Sequence, residues 1–544
     1  MCTWSIEKKQ EIVAALVQMG QRAEDQTSSY ALESFYDNHL TDSLMNENNQ
    51  IIIGSRGTGK THILHVIERK LENKHTHCIY IDCRVFGTSV QYQENFNPEE
   101  SNRLNRFCQS FLERFFLQLF RFYSCQPEYS GRYGKQIQSL LSQMKQSITI
   151  YSEEIDTVEH ISRAGKSDSE SSTHSGNVSW PISIALLRNR NKSEEKNTTV
   201  EIKRNFHIRY PTAFFQFSRY LEDLLIFTNQ KIILLLDEWS SISPNIQPFF
   251  AEFLKKTLFP VSNVKFKIAA TPQQKQFRRE VETNYSIGFE IGSDIQLALD
   301  LDNKYSVDAD PEGLISFCFR FLCKHLSVLL SYTVAPDDYI RNMFDNQKTA
   351  FMLVRAAEGN PRDFINLSFM CVQSLSDSNI SISEDKILSQ GEELFKSSKI
   401  GNCSEPARKL MNELIQYVVY THENRGFLVD SRYLSAPILK SLIDARALHI
   451  LKDRYMGYRA SRGGSAILVL DFGAYCEALS YGLNVNFFSS GDFMENVIFS
   501  EKTYGLYSFQ ATLRYDKNRW FYKCCIDIEK DKTFSPYFSD FLPS

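Results

Sequence analysis

The sequence predicts an α/β protein: a parallel sheet built around a phosphate-binding loop, followed by further helices, a helix-and-hairpin domain and a small β-rich C-terminal extension. Three observations predict it. A glycine-rich turn sits between an apolar strand and a helix near residue 55, a second apolar strand ends in Asp237-Glu238, and a third ends in Thr271-Pro272. Apolar strands separated by helical segments form βαβ units and hence a parallel sheet.

Residues 50 to 64 read QIIIGSRGTGKTHIL, a buried-strand run, then GxxxxGKT, then the start of a helix. Along Gly54, Ser55, Arg56, Gly57, Thr58 and Gly59 the chain can curl so that successive N–H groups face phosphates at the positive end of the next helix. Lys60 is expected to reach the β- and γ-phosphates of ATP, and Thr61 to offer its hydroxyl to Mg²⁺.

The run Lys231 to Asp237 is an apolar strand closed by two carboxylates. Asp237 is placed to complete the Mg²⁺ shell, and Glu238 to polarise a water, which predicts hydrolysis and not binding alone. Helical spacing from Ile246 to Leu258 leads to a third strand from Val264. At its tip the Thr271 hydroxyl either meets the γ-phosphate or the attacking water, or simply caps the strand. Downstream, Gly359-Asn360-Pro361-Arg362-Asp363 starts another helix, with proline at its first position and Arg362 in the opening turn, where it can project toward a γ-phosphate.

Taken in order, GSRGTGKT, CIYIDCR at 78–84, LLLDEW, AATP and GNPRD resemble AAA+ or STAND-type P-loop ATPases, with most similarity to the origin-recognition initiators, over 30–375 in interrupted form. The resemblance implies a P-loop NTPase core over 31–300, a helical lid over 301–400, ATP and Mg²⁺ as ligands, ATPase activity, and a sensor role for Thr271. It also implies that the strand at 78–82 neighbours the P-loop strand. Arg278 and Arg279 are the candidates for an arginine finger, or else belong to a solvated helix face. The bacterial mobile-element or phage-defence setting of many such ATPases is part of the same expectation.

Lys60 and Asp237 lie far apart, so a large insertion over 86–210 is expected inside the core. Its first part places Leu104, Phe107, Phe111, Phe115, Leu119 and Phe122 on one helical stripe, which needs a cover, either the chain's own core or a partner. Residues 163–200 are rich in Ser, Asn and charge and read as a lid or regulatory loop.

Helical spacing recurs at 410–418, at 427–433 and from Ala436 to Leu451, before a hairpin across Arg462-Gly463-Gly464. This order predicts a winged-helix-like domain over 401–480. Lys452, Arg454, Arg459 and Arg462, interleaved with Tyr455 and Tyr458, suit a wing on double-stranded DNA, or a solvated hairpin on a protein-docking module. Residues 481–544 alternate aromatic and polar side chains, and 1–30 begin with a helix carrying Ile12, Leu16 and Met19.

Composition narrows the classes. With 61 Lys+Arg against 65 Asp+Glu, bulk-charge binding to nucleic acid is excluded. The 12 cysteines show no CxxC pair, so a zinc ribbon is not expected and free thiols in a reducing compartment are. No signal peptide is read, and the Ile232 to Leu236 run is too short to cross a bilayer, so a cytoplasmic protein without membrane contact is expected. The leading expectation is an ATP-dependent switch that engages DNA, a protein partner or further copies of itself; the alternative is a STAND-type signalling ATPase that senses a protein and oligomerises without DNA. A motor such as a helicase is disfavoured because a single P-loop core is found.

Overall fold

A computed structural model describes residues 4–19, 28–37, 39–86, 98–126, 133–148, 212–272, 274–282, 285–305, 311–373, 381–455, 464–483, 497–500, 508–511, 524–539 and 541. The 163–200 stretch and the hairpin tip with Tyr458, Arg459 and Arg462 therefore lie outside the described residues.

The core is a five-stranded parallel sheet of β1 (Gln50–Ile53), β2 (Thr76–Asp82), β3 (Lys231–Asp237), β4 (Val264–Ala270) and β7 (Gln296–Asp300), in the order β2-β3-β4-β1-β7. Between β4 and β7 a hairpin of β5 (Arg278–Glu282) and β6 (Tyr285–Gly288) leaves the sheet. The P-loop strand β1 is flanked by β4 and β7, which corrects the expectation that 78–82 lies beside it: β2 pairs with β3 from Thr76↔Lys231 to Asp82↔Asp237. The crossover from β1 to β2 passes over β4 and β3, and nothing local in a strand's composition records such a passage.

Alternation along the strands divides two apolar cores. Ile51, Ile53, Ile79, Ile81, Leu234 and Leu236 belong to one; Ile52, Ile233 and Leu235 belong to the other, together with Ile63, Leu64 and Ile67 of α2 (Lys60–Leu71). Burial on both faces is what a parallel sheet covered by helices requires. The stripe on α3 (Pro98–Cys125) is covered by the chain's own core: Phe107 and Phe111 each meet Phe250 edge-on at 5.0 Å, and Phe115 lies 6.2 Å from Phe217.

The lid consists of α4 (Pro311–Leu330), α5 (Pro336–Met343), α6 (Gln347–Ala356), α7 (Pro361–Gln373) and α8 (Glu384–Leu394). The N-terminal helix α1 (Ile6–Gln18) packs on this lid, where Ile12 and Leu16 are buried and Trp4 N–H donates to Asn342 Oδ1 at 2.7 Å. Within α4, Gly313–Leu330 is long and apolar enough to cross a membrane by length and composition, as the core helix of a soluble protein can also be. Here its Phe317, Phe319, Leu322 and Leu326 are buried in the lid core.

The next domain has the order α9 (Glu405–Leu414), β8 (Gly426–Asp430), α10 (Pro437–Asp444), β9 (Leu448–Tyr455), β10 (Ser465–Leu470), with an antiparallel sheet β8-β10-β9. Two helical expectations are corrected. Residues 426–430 form a strand, buried on both faces at Gly426 to Val429, followed by one 3-10 turn whose cap is Asp430. The helix from Pro437 ends at Asp444 because Arg446 takes a left-handed conformation (φ 60°) that reverses the chain, with Ala447 N–H donating back to Leu442 O at 2.9 Å. Beyond it, Leu428 N–H donates to Cys524 O and Ile526 N–H to Leu428 O, both at 2.9 Å, so the C-terminal segment adds to β8. A further antiparallel pair joins 497–500 to 508–511.

Candidate active site

The loop after β1 leads into α2 with Gly57 and Gly59 both at φ 91°, a region open to glycine, so the backbone turns its amides inward at the helix start. Gly54 N–H donates to Ala270 O at 3.2 Å, tying the loop to β4. Lys60 is buried and its Nζ donates to Gly54 O at 2.8 Å and Ser55 O at 3.0 Å. Burial lowers its pKa, opposed by the charges of Glu238, Asp237 and Asp302.

The end of β3, two strands away from β1, brings the carboxylates to this loop. Thr61 Oγ1 donates to Asp237 Oδ2 at 2.6 Å, Tyr80 OH to the same oxygen at 2.8 Å, and Glu238 N–H to Oδ1 at 2.8 Å. Asp237 is wholly buried, and burial raises the Tyr80 pKa, so the phenol stays a donor. Glu238 has φ 52°, an uncommon conformation for a side-chain-bearing residue that turns the chain out of β3 just past Asp237. Burial, and next the Asp237 charge, raise its pKa above the ordinary glutamate value.

Thr271 sits at the end of β4, where its N–H donates to Ser240 Oγ at 2.7 Å; its own Oγ1 is buried and has no hydrogen-bond partner among the described residues. The lid approaches from the other side. Asn360 Nδ2 donates to Arg56 O at 2.8 Å and Arg362 N–H to Gly57 O at 3.3 Å. A Cβ on Gly57 would stand 2.5 Å from Asn360 Oδ1 and 2.8 Å from Arg362 Cβ.

These residues share one cavity of about 370 Å³, within the range of small-ligand sites. Arg56, Gly57, Thr58, Gly59, Lys60, Thr61, Glu238, Thr271 and Arg362 line it. Gly54, Ser55 and Asp237 stand behind the lining as partners of Lys60 and Thr61. Arg278 and Arg279 lie on β5, a strand and not a helix face; they do not line the cavity, and Arg278 pairs with Glu290 at 3.5 Å.

Several site residues escaped the sequence reading. Asp302, just past β7, accepts from Ser55 N–H at 2.8 Å and from Ser55 Oγ at 2.9 Å. The winged-helix-like domain also reaches the site: Gln274 Nε2 donates to Asp444 Oδ2 at 2.7 Å, and Arg446 pairs with Asp363 at 2.9 Å. Part of the wall is aromatic, with Phe35, Tyr36, His62, Tyr305, Phe317, Phe321 and His325. Phe317, Phe321 and His325 follow one another at helical spacing on α4, a signal readable in sequence as a helix face but equally that of core packing.

The chemistry of the donor set suits a nucleotide with Mg²⁺. The Thr61 hydroxyl and the Asp237 carboxylate are adjacent hard oxygens, and the described residues hold no group of three or more His, Cys, Asp or Glu that could cage a metal alone. Such a site leaves the other positions of the ion to water and phosphate, as Mg²⁺ prefers.

A model of the ORC-CDC6-like family matches residues 20–344. The chain belongs to the ORC-CDC6-like family. The parallel sheet, the P-loop and the helical lid of this ORC-CDC6-like chain are thus those of an AAA+ ATPase, as the motif order implied. No curated protein matches it. Among solved structures it is similar to Cdc6p from Pyrobaculum aerophilum, at 10% identity and TM-score 0.31, over 86% of this chain and 98% of that one. It is also similar to the RuvB Holliday junction branch migration motor of Thermotoga maritima, at 11% identity and TM-score 0.27, over 85% and 95%.

Proposed function

We propose that this chain binds and hydrolyses ATP in the cavity and uses the cycle as a switch that changes its hold on DNA or a protein partner. The observation that carries the reading is the convergence of Lys60, Glu238, Thr271 and Arg362, from four separate elements, on one cavity. The amides from Gly54 to Gly59 and the Lys60 ammonium receive the phosphates, Lys60 giving up its carbonyl partners for phosphate oxygens. Glu238 takes a proton from the attacking water, a task its raised pKa favours. The free Thr271 hydroxyl positions that water or holds the γ-phosphate, and Arg362 brings positive charge from the lid. Thr61 and Asp237 would hold Mg²⁺, which would supply neutralising positive charge beside the phosphates.

The lid meets the P-loop through Asn360 and Arg362, and the winged-helix-like domain meets the lid through Arg446, which gives nucleotide binding a route to the rest of the molecule. We assign 31–300 to the ATPase core, 301–400 to the lid and 401–480 to the DNA- or partner-facing domain, with 1–30 and 481–544 as extensions. Arg278 and Arg279, away from the cavity wall, suit a finger role only toward a neighbouring copy.

The test is ATP turnover by the full chain with and without double-stranded DNA, with Lys60→Ala as blank and oligomer mass recorded in the same samples. Turnover that rises with DNA supports the DNA-engaging switch. Turnover indifferent to DNA but linked to assembly moves the reading to the protein-sensing class, and none in any condition contradicts hydrolysis.

A further inference from the structure

Two cavity-lining side chains carry a buried polar atom without a hydrogen-bond partner among the described residues: Thr271 Oγ1 and His325 Nε2. The first belongs with the phosphate chemistry above. The second lies in the aromatic part of the wall, where the His325 ring is 4.7 Å from Phe321, 5.6 Å from Tyr30 and 6.0 Å from His62. His325 is 1% exposed, and its Nδ1 lies 2.9 Å from the Tyr30 hydroxyl. An unmet hydrogen-bonding atom in an apolar wall is costly to the fold, and a polar group of a ligand in the cavity would meet it.

We propose that His325 reads the base of the bound nucleotide and selects adenine over guanine. The inference rests on the cavity being a nucleotide site. Burial lowers the His325 pKa to about 3, so the ring is neutral at physiological pH and offers one hydrogen bond at Nε2. It donates there if Tyr30 donates to Nδ1, and accepts if Nδ1 carries the proton. Adenine meets either case, with N1 as acceptor or the N6 amino group as donor. Guanine presents three polar groups on the same edge (O6, N1–H and the N2 amino group) and adenine two, so one imidazole leaves two of guanine's unpaired against one of adenine's. Each buried group left unpaired lowers affinity by roughly tenfold. Phe35, Tyr36, Phe317 and Phe321 supply apolar contact that does not distinguish the purines.

The experiment is displacement of a fluorescent ATP analogue from the full chain by ATP and by GTP, which reads binding without hydrolysis. Wild type is expected to prefer ATP by about tenfold or more. His325→Phe, which keeps an aromatic ring and removes both ring nitrogens, is expected to weaken ATP by about the same factor and bring the two nucleotides together, and His325→Gln, with a side-chain amide, to restore part of the preference. Equal binding of ATP and GTP by wild type, or a preference that survives in both variants, overturns the proposal while leaving the nucleotide site standing. Binding that Lys60→Ala does not weaken overturns the nucleotide site itself.

Discussion

The guanidinium of Arg446, in the reversal after α10, lies 2.9 Å from the carboxylate of Asp363, the residue beside Arg362 in the lid. The same Nη1 would stand 3.3 Å from a Cβ on Gly57, so one side chain of the winged-helix-like domain pairs with the lid and lies close to the P-loop. Asp363 also faces Lys399 at 3.3 Å, and Lys399 pairs with buried Asp471, which His449 meets at 3.1 Å. Arg446 holds a left-handed turn that glycine would fill with less strain, and its side chain makes the Asp363 pair that glycine could not.

Arg446→Ala is therefore expected to loosen the domain from the lid. Because Lys399 still faces Asp363, the cost should be modest, about 1 to 3 kcal/mol. The nucleotide-induced rise in melting temperature should shrink in the variant and be partly kept in Arg446→Lys. A rise equal to that of wild type in Arg446→Ala would contradict the coupling.

Asp471 sets an acid limit. Burial would raise its pKa, but Lys399 and His449 overcome this and hold it at about 2. A depressed carboxylate contributes stability above its unfolded pKa and loses it as pH falls through the folded value, so roughly 2 kcal/mol should be lost between about pH 4 and pH 2. Denaturant midpoints from pH 7 to pH 2 should fall more steeply for wild type than for Asp471→Asn over that window; parallel curves would sink this assignment.

The two left-handed loop glycines should respond differently to alanine. A methyl on Gly57 meets Asn360 and Arg362, whereas one on Gly59 meets nothing within 4 Å. Gly59→Ala bears only backbone strain of about 1 to 2 kcal/mol. Gly57→Ala bears the same strain and also pushes the lid away, so its ATP affinity should fall further, by about tenfold relative to Gly59→Ala. Equal affinities in a titration would show that the lid contact is immaterial.

Thr271→Val separates stability from function. Valine keeps the shape and removes a buried hydroxyl without a partner among the described residues, so stability should hold or rise by up to about 1 kcal/mol. Turnover should nevertheless fall, by about tenfold or more, if the hydroxyl acts on water or phosphate. A variant both more stable and fully active would remove Thr271 from the mechanism.

Much of the site was legible because its parts are local patterns. The P-loop, the Asp237-Glu238 strand end, the Thr271 strand end and the Arg362 turn each declare themselves within about ten residues, and the cavity joins their side chains. What local pattern could not carry was relation between segments. The pairing of β2 with β3, the Asp302 contact to Ser55 and the meeting of Arg446 with Asp363 depend on how distant elements cross. Residues 426–430 were misread because a short apolar run fits helix and strand alike. The helix from Pro437 was read too long because its stop is Arg446, where glycine would have signalled the end. His325 was missed because its spacing with Phe317 and Phe321 is also that of an ordinary core helix.

The most direct test of the central claim compares ATP binding and ATP turnover in wild type, Lys60→Ala and Glu238→Gln. If the cavity hydrolyses ATP with Glu238 as base, Glu238→Gln should bind ATP about as well as wild type and turn it over at least roughly a hundredfold more slowly, while Lys60→Ala loses both. Undiminished turnover in Glu238→Gln would contradict the role of Glu238, and turnover surviving in Lys60→Ala would contradict the site itself.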